Sequence, residues 1–422
     1  MRVTRVKGFA DVLPGEIETW QFVEEQARRV FASYNFSEIR IPILEKTELF
    51  RRSIGETTDI VEKEMYTFVD HDPEGVSVTL RPEGTAGVVR AYVESGMYQV
   101  EPVRKLFYIG PMFRRERPQK GRLRQFYQIG AELLGRADPL ADVEVLLLLA
   151  DFFQAVRLNE VQLELNSLGC VRCRPAYRAS LLEYLRAHQD ELCENCRRRM
   201  ERNPLRVLDC KEPSCAKVAS EAPSILAFLC GECEAHFTAV QRLLGDSGVG
   251  YRLAPRLVRG LDYYCRTAFE WTSGALGAQN AVAAGGRYDG LVEDLGGPPT
   301  PGVGFALGLE RLALLLGKRD GGENRRPDLY VVWLGEAARD WAVPVVHRLR
   351  RAGLVVEMEG EERSLKSQMR RADKFRAVNV VIIGEEELKR QAVVLRRMDG
   401  GEQSEIGLGQ LESFMRERVA KS

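Results

Sequence analysis

The segment from which the fold can be argued is Phe113-Arg114-Arg115-Glu116-Arg117-Pro118-Gln119-Lys120-Gly121-Arg122-Leu123-Arg124-Gln125-Phe126-Tyr127-Gln128. Six cationic side chains and one carboxylate occupy its centre, whereas both of its ends continue into apolar stretches. Lys105 to Phe113 and Gln125 to Leu134 have the apolar and aromatic content of β-strands. The sequence therefore predicts an antiparallel hairpin that carries its charge at the tip.

The basic tip indicates a site for phosphates. Guanidinium groups neutralise phosphate oxygens, and an aromatic ring such as that of Phe126 can stack on a base. The alternative is a solvated hairpin tip, which is the usual structure of a basic loop. The arginines continue into the strands, where sheet geometry should hold Arg114 and Arg124, and this favours the binding site.

Three other segments combine polar groups with a defined position in the chain. Arg259 to Tyr264 is predicted to be a strand with an arginine, an acid and two phenols. Leu80 to Thr85 puts a carboxylate and a hydroxyl at a helix start, where the acid could simply cap. Gly304 to Leu312 is predicted to be a strand that leads into a helix presenting Arg311. Taken singly, these segments also fit core tyrosines, a cap and a surface arginine.

The composition is that of a globular protein. The chain has 422 residues, 45% of them apolar and 29% charged, so we expect two or three domains. Lys plus Arg and Asp plus Glu both total 61, and this balance neither indicates nor excludes a nucleic-acid partner. We find no apolar run that could span a bilayer and no secretory signal. A cytosolic protein without membrane attachment is expected.

The chain changes character at two points. From Cys170 to about Gly250 it is cysteine-bearing and helical, which indicates an insertion into a strand-rich domain. Lys318 to Asp328 is charged, contains glycine and lacks apolar periodicity, so it is predicted to be a linker. From Leu329 onward, strands alternate with helices, which is typical of a small, mostly parallel α/β domain.

Several of these segments together closely resemble the motifs of class II aminoacyl-tRNA synthetases, specifically the histidyl enzymes. Phe113-Arg114-x-Glu116 with its basic loop and Phe126 is similar to their motif 2, and Gly308-Leu309-Glu310-Arg311 is similar to their motif 3. Ile41-Pro42, within a strand predicted over Ile39 to Leu44, resembles the dimer-forming motif 1. The histidine-specific motifs are similar to Arg81 to Thr85, Arg259 to Tyr264 and Gly285 to Gly290, the last of which is predicted to be a tight loop.

The resemblance runs from Lys7 to the C-terminal helix and implies an α+β fold. This fold has the antiparallel sheet of a class II synthetase with flanking helices, a helical cysteine-rich insertion and a C-terminal α/β anticodon-binding domain. The catalytic domain is then split into a part with motifs 1 and 2 and a part with the histidine motifs and motif 3. The four expected segments, in chain order, are 1–169, 170–250 (the insertion), 251–325 and 326–422 (the anticodon-binding domain).

The activity implied by the resemblance is ATP-dependent ligation of histidine to tRNA(His) through a histidyl-adenylate, with release of AMP and pyrophosphate. Arg114 would hold the α-phosphate and Phe126 would stack under adenine. Arg122 and Arg311 would hold the outer phosphates or sandwich the base. Arg259 and Arg114 are the two expected catalytic residues. Arg259 would reach the α-phosphate where related synthetases place a magnesium ion. Magnesium would still accompany the β- and γ-phosphates of ATP.

Six residues match the histidine-binding positions of the family. The three expected at the ammonium group are Glu83, Thr85 and Gln128. The three expected around the imidazole are Glu132, Tyr264 and Tyr288. A buried carboxylate facing an imidazole nitrogen selects histidine, because an apolar isostere would leave that charge unpaired. Gln119 matches the position that meets the tRNA acceptor end, and a homodimer is expected through the apolar strand around Ile41 to Leu44.

Eight of the nine cysteines form four pairs in the insertion. The pairs are Cys170 with Cys173, Cys193 with Cys196, Cys210 with Cys215, and Cys230 with Cys233. Their spacing predicts one zinc site from the first two pairs and a second from the last two. The resemblance points the other way, since the histidyl enzymes carry this insertion without needing cysteines or metal. Structural zinc stays an alternative that is not favoured, and disulfides are expected even less in a reducing cytosol.

Two other functions fit parts of the sequence. The regulatory subunit of ATP phosphoribosyltransferase resembles the histidyl catalytic domain but senses histidine without ligating it. That subunit generally lacks the C-terminal domain and the motif 2 arginines, both of which this chain has. A non-catalytic tRNA- or RNA-binding protein could also use the basic loop.

Overall fold

The computed structural model describes residues 3–55, 58–70, 75–119, 121–277, 280–318 and 326–419. These residues form two compact units, Met1–Arg319 and Asp320–Ser422. Lys120 of the basic tip and most of the linker predicted over 318–328 lie outside the described residues. Within the described residues, every helix is too short or too polar to cross a membrane.

The first unit is organised around a sheet of eight strands, counted over the described residues. In spatial order the strands are Ser37–Glu38, Arg104–Phe113, Gln125–Leu134, Gly302–Gly308, Ala281–Arg287, Cys265–Thr272, Gln162–Ser167 and Tyr251–Leu253. The two outermost pairs are parallel, and the pairs between them are antiparallel. This sheet matches the predicted α+β class II synthetase fold.

The predicted hairpin is confirmed. Its two ten-residue strands pair from Arg104 opposite Leu134 to Phe113 opposite Gln125. One step beyond the strands, the backbone N–H of Arg114 donates to the carbonyl of Arg124 at 2.8 Å. Sheet geometry therefore continues to the first arginine of the basic tip.

The strand Gln125–Leu134 separates a dry face of the sheet from a polar one. Because side chains alternate along a strand, Ile129, Ala131 and Leu133 all enter the hydrophobic core, where they are fully buried. The polar residues between them face the opposite side, which carries the site described below. Helices Ile17–Ser33 and Pro139–Ala155 cover the dry face, and the Phe31 ring packs edge-on against Phe107 there.

The remaining elements of the first unit surround this sheet. A sheet of three strands, again among the described residues, has the order Leu44–Lys46, Ser77–Leu80 and Tyr66–Val69. The shorter helices outside the insertion are Thr47–Ile54, Ile60–Glu64, Thr85–Glu94, Met97–Val100, Gly274–Leu276, Leu291–Asp294 and Leu309–Leu316.

The insertion is helical, as predicted. Its helices are Arg174–Ala187, Gln189–Glu191, Glu194–Met200, Pro204–Val207, Pro213–Glu221, Ile225–Phe228 and Gly231–Asp246. The grouping of its cysteines is the part of the prediction that is wrong. Cys170 and Cys173 lie beside Cys230 and Cys233, and Cys193 and Cys196 lie beside Cys210 and Cys215. The pairs are nested because the insertion begins and ends at the same edge of the sheet.

Three local predictions also need correction. Arg259 to Tyr264 is not a strand but an irregular segment, and the strand begins only at Cys265. Ile39 to Leu44 is interrupted, because residues 39–43 leave the sheet around Pro42. The loop predicted at Gly285 to Gly290 is shorter, since the strand continues to Arg287.

The second unit is an α/β domain, as predicted, but its sheet is mixed. In spatial order its five strands, within the described residues, are Val356–Met358, Leu329–Trp333, Asn379–Ile383, Ala392–Arg397 and Gln403–Gly407. The first three are parallel, and the last two, which were not predicted, form an antiparallel hairpin. Its helices are Glu336–Arg351, Leu365–Lys374, Glu385–Lys389, Leu408–Gln410 and Leu411–Val419.

Candidate active site

A cavity lies over the polar face of the large sheet. Its floor comes from three neighbouring strands, and its walls come from the hairpin tip, the irregular segment at 259–264 and the helix that begins at Leu309. Nine of the predicted site residues line it: Glu83, Thr85, Arg114, Arg122, Phe126, Gln128, Arg259, Tyr264 and Arg311. Four guanidinium groups from three distant stretches of chain thus share one cavity.

The floor is open because small residues face the polar ones. In the strand Gly302–Gly308, Gly304 pairs with Glu132, Ala306 with Gly130 and Gly308 with Gln128. A Cβ at Gly304 would overlap the Glu132 carboxylate and also approach the carbonyl oxygen of Ala131 to 2.5 Å. The glycine at this position therefore leaves the Glu132 side chain the space that it occupies.

Arg114 is held by both its backbone and its side chain. Its Nε donates to the carbonyl of Pro82 at 2.9 Å, and its guanidinium carbon lies 5.2 Å from the centre of the Phe126 ring. Burial lowers the pKa of Arg114 from its usual value, although nearby carboxylates at Glu64 and Glu83 oppose the shift. The guanidinium stays charged, and its loss of water favours an anionic ligand in compensation.

Arg122 and Arg311 line the same cavity as Phe126. Arg122 forms an ion pair with the buried Glu116, and Arg311 donates to the carbonyl of Ala281. Burial lowers the pKa of both guanidinium groups, and each is in the field of Arg114, which lowers it further. The three cations around this cavity repel one another, and a bound polyanion would relieve that repulsion.

Arg259 is positioned by two partners in the same wall. Its Nη1 donates to Glu270 Oε1 at 2.8 Å, and its guanidinium carbon lies 5.3 Å from the centre of the Tyr264 ring. Its Nε is buried without a hydrogen-bond partner among the described residues. Buried donors in folded proteins are almost always paired, so this N–H indicates a ligand group in the cavity.

The opposite end of the cavity is lined by acceptors. Gln128 Oε1 and the Tyr263 hydroxyl are buried and have no hydrogen-bond partner in the described part of the chain. Glu83 accepts the backbone N–H groups of Thr85 at 2.7 Å and Ala86 at 2.9 Å. Glu83 therefore caps the helix, as the alternative predicted. It also lines the cavity, where each carboxylate oxygen can accept a further hydrogen bond.

Glu132 and Tyr288 lie directly beneath this end. The Thr85 hydroxyl donates to Glu132 Oε1 at 2.6 Å, and the Tyr288 hydroxyl donates to Glu132 Oε2. Complete burial raises the pKa of Glu132 to about 8, although both hydroxyl groups favour its charged form. The ring of Tyr264 lies 6.4 Å from that of Tyr288. Gln119, in contrast, lies at the hairpin tip outside this cavity, where its backbone pairs with Arg122.

Comparisons with known proteins identify the family of this chain. Residues 8–312 match the family model described as histidyl-tRNA synthetase, and residues 328–418 match the model described as anticodon binding domain. The chain belongs to the histidyl-tRNA synthetase family. The resemblance stated from the motifs is thereby confirmed, and with it membership of the class II aminoacyl-tRNA synthetases.

The relatives cover nearly the whole chain. A histidine–tRNA ligase of Geobacter sulfurreducens is 58% identical over 406 residues, which are 96% of this chain and 97% of that protein. A histidine–tRNA ligase of Geobacter metallireducens is 55% identical over 404 residues, with 96% and 97% covered. The crystal structure of the apo histidyl-tRNA synthetase of S. aureus superposes with a TM-score of 0.82 at 36% identity, covering 98% of this chain and 100% of that one.

Sequence reasoning missed three residues of this histidyl-tRNA synthetase site. Tyr263 was noted but not assigned, and Glu270 was overlooked although it is the one carboxylate in the strand Cys265–Thr272, a signal that could have found it. Glu310 accepts the backbone N–H of Tyr127 at 2.9 Å, where the neighbouring strand has already ended at Gly308. It therefore fixes the helix that carries Arg311 against the hairpin.

Proposed function

We propose that this chain joins L-histidine to tRNA(His) in two steps. Histidine first reacts with ATP to give histidyl-adenylate and pyrophosphate, and the histidyl group then passes to the 3′ end of the tRNA with release of AMP. The observation that carries the proposal is that Arg114, Arg122, Arg259 and Arg311 surround one cavity that ends in buried acceptors. Family membership and the presence of a C-terminal unit that matches an anticodon binding domain support it.

In the first step the histidine carboxylate attacks the α-phosphorus of ATP in line with the departing pyrophosphate. Charge builds up on the phosphoryl oxygens, so catalysis rests on positioning and on fixed positive charge. We assign the α-phosphate to Arg114 and Arg259. The Glu270 carboxylate and the Tyr264 ring hold Arg259 in place, so little reorganisation is needed when the charge develops.

The adenosine end of ATP is assigned to the hairpin side of the cavity. Phe126 offers a ring face for adenine, and the small side chains of Ala283 and Ala306 leave room above the sheet. Arg122 and Arg311 are assigned to the outer phosphates or to the faces of the base. In either position the two guanidinium groups would place positive charge beside the nucleotide.

Magnesium would reach the site as part of the nucleotide. Among the described residues, groups of three or more side chains that could hold one ion occur only in the two cysteine clusters of the insertion. The cavity therefore offers no all-protein cage, which fits an ion that is bound mainly by phosphates and water. When bound, it would neutralise charge on the β- and γ-phosphates.

The amino acid is assigned to the acceptor-lined end. Glu83, Thr85 and Gln128 would receive the ammonium group, and the unpaired Gln128 Oε1 is the strongest support for this. Glu132, Tyr264 and Tyr288 would surround the imidazole. Glu132 is held by two hydroxyl groups and forms no ion pair with any residue that the structure describes, so an imidazole N–H can supply a further donor.

The tRNA contacts are proposed from the same family relation. Gln119 at the hairpin tip would meet the acceptor end, and the second unit would bind the anticodon. A homodimer is proposed through the first part of the chain, where Ile43 and Leu44 are exposed at 44% and 39%. Because tRNA charging serves ribosomes, we propose a cytoplasmic location.

The test of the function is histidine-dependent exchange of labelled pyrophosphate into ATP, followed by charging of tRNA(His). We expect both activities with histidine and neither with other amino acids. A histidine-sensing regulatory subunit would bind histidine without exchange, and a plain RNA-binding protein would bind tRNA without either reaction. Absence of exchange in a protein that binds histidine would thus overturn the proposal in favour of the regulatory subunit.

Gly304→Ala tests the assignment of the histidine end. The added methyl group would overlap Glu132 and displace it, so we expect the KM for histidine to rise about tenfold while the KM for ATP changes little. Gly245→Ala is the matched control, since a Cβ at that helical position meets no atom within 4 Å. An equal change in both KM values would argue against Glu132 as a histidine ligand.

A further inference from the structure

The insertion contains two compact groups of sulfur atoms. The first consists of Cys170, Cys173, Cys230 and Cys233, and the second consists of Cys193, Cys196, Cys210 and Cys215. Within each group the four Sγ atoms all lie within 4.8 Å of one another. All eight are free thiols, and the second sulfur of each pair is buried. We call them the outer and the inner cluster, because the inner pairs lie between the outer pairs in the sequence.

The distances between the sulfur atoms are those of a tetrahedron around one ion. Cys170 Sγ lies 3.7 Å from Cys173 Sγ and 3.9 Å from Cys230 Sγ. In the inner cluster, Cys193 Sγ lies 4.0 Å from Cys210 Sγ. Four sulfurs at about 2.3 Å from a central zinc are about 3.8 Å apart along each tetrahedral edge. A disulfide would need about 2.05 Å between its two sulfurs.

We infer that each cluster holds one structural zinc ion, two per chain. Four cysteine thiolates in tetrahedral arrangement are the ligand set of zinc or of an iron–sulfur cluster. Sulfurs that bind different iron atoms of a cluster are separated by the metal–metal distance as well, so a set within 4.8 Å fits a single ion. This changes the expectation drawn from the sequence, in which zinc was the alternative that was not favoured.

The backbone around both clusters supports thiolate ligands. Cys193 and Cys230 each stand at the N-cap of a helix, with their partners Cys196 and Cys233 in its first turn. The N–H of Cys193 donates to Cys215 Sγ at 3.1 Å, and the N–H of Cys230 donates to Cys173 Sγ at 3.1 Å. The two clusters thus repeat the same contact, in which the first cysteine of one pair donates to the buried sulfur of the other. Such N–H donors orient and stabilise metal-bound thiolates.

The segments that each cluster joins indicate a structural role for the ions. The outer cluster joins the first residues of the insertion to the start of the helix Gly231–Asp246, with which the insertion returns to the catalytic sheet. The inner cluster joins the short helices Glu194–Met200 and Pro213–Glu221. A segment of about 80 residues has too little apolar core to be held firmly by packing alone, and metal ions commonly supply what is missing. The two ions therefore hold the insertion folded.

Residues beside the outer cluster are hydrogen-bonded to the wall of the cavity at its histidine end. The side chain of Arg174, directly after Cys173, donates to the carbonyl of Tyr264, and the N–H of Arg266 donates to the carbonyl of Gly169 at 2.8 Å. Loss of the outer ion would thus loosen a wall of the cavity, whereas loss of the inner ion would act within the insertion. The zinc inference itself rests on the cysteine geometry and not on the proposed activity.

The test is metal analysis of the full-length protein, purified without a metal-binding tag. We expect two zinc ions per chain, with eight thiols reacting only as zinc is released to a chromogenic chelator. Cys170→Ser with Cys173→Ser should leave one zinc, Cys193→Ser with Cys196→Ser should also leave one, and the control Cys265→Ser should leave two. Cys265 is a suitable control because it lies outside both clusters and burial raises the pKa of its thiol to about 11.

The unaltered protein decides the matter if the serine variants do not fold. Replacement of zinc by cobalt should give two equivalents of the intense thiolate-to-cobalt absorption of a four-sulfur site. Unaltered protein that has less than half a zinc per chain and eight freely reacting cluster thiols would overturn the inference. So would bound iron with inorganic sulfide, or disulfides in place of thiols. Loss of both ions on removal of one pair would contradict two separate sites.

Discussion

Arg259→Ala will lower the rate of histidine-dependent ATP–pyrophosphate exchange by about 10³-fold or more while leaving histidine binding nearly unchanged. A guanidinium that meets charge developing on a transferring phosphoryl group contributes on this scale. Arg259 is prepared for that role by its ion pair with Glu270 at 2.8 Å and by the Tyr264 ring. Exchange kinetics measure the first quantity, and calorimetric titration with histidine measures the second.

The control for this variant is Arg256→Ala. Arg256 precedes Arg259 by three residues but is exposed and does not line the cavity, so its loss should leave the exchange rate unchanged. Glu270→Gln should give an intermediate loss, because it keeps Arg259 but removes the charge that orients it. Exchange at the normal rate in Arg259→Ala would remove the role assigned to this arginine.

Glu132→Gln is expected to raise the KM for histidine about 10- to 100-fold, with the KM for ATP little changed. The substitution keeps the volume of the side chain but replaces a charge-assisted hydrogen bond, which contributes about 1.5–3 kcal/mol, by a neutral one. Steady-state kinetics with each substrate varied in turn check the expectation. Glu160→Gln, at an exposed position that does not line the cavity, is the control.

The same carboxylate gives a pH dependence with a defined sign. The bound pair of Glu132 and imidazole holds one proton, whichever partner carries it. Below the pKa of free histidine, about 6.5, both groups are protonated, and above the Glu132 pKa of about 8 neither is. We expect kcat/KM for histidine to be highest between these values and to fall on both sides. In Glu132→Gln the fall above pH 8 should disappear, and its persistence would assign that limb to another group.

Much of the fold could be predicted because its signals are local. The hairpin of Arg104–Phe113 with Gln125–Leu134 follows from two apolar runs around a polar turn. The strands Ala392–Arg397 and Gln403–Gly407 were missed, because only part of each strand is buried and Gln403–Gly407 lies at the edge of its sheet. The mixed character of the C-terminal sheet was missed for this reason.

The residues that line the candidate site could be named from the sequence, but their arrangement in space could not. Resemblance supplied Arg114, Arg259 and Arg311, but neither spacing nor periodicity could tell that they share a cavity, because that depends on pairing between strands far apart in the chain. Arg259 was assigned to a strand because of the two tyrosines that follow it, whereas Tyr263 lies in an irregular segment and its ring packs against Tyr264 and Tyr288. The cysteines were grouped with their nearest neighbours in sequence, and the nested grouping is set by the return of the chain to the same sheet edge.

The order of strands in the large sheet has a consequence for synthesis of the chain. Gln125–Leu134 pairs with Gly302–Gly308, and Gln162–Ser167 pairs with Cys265–Thr272. Each earlier strand therefore leaves the ribosome long before such a partner and waits with at least one row of backbone groups unpaired. Such open edges invite association between nascent chains. Since the insertion is the stretch translated during that wait, the speed at which it becomes compact governs how long the half-built sheet stays vulnerable to aggregation.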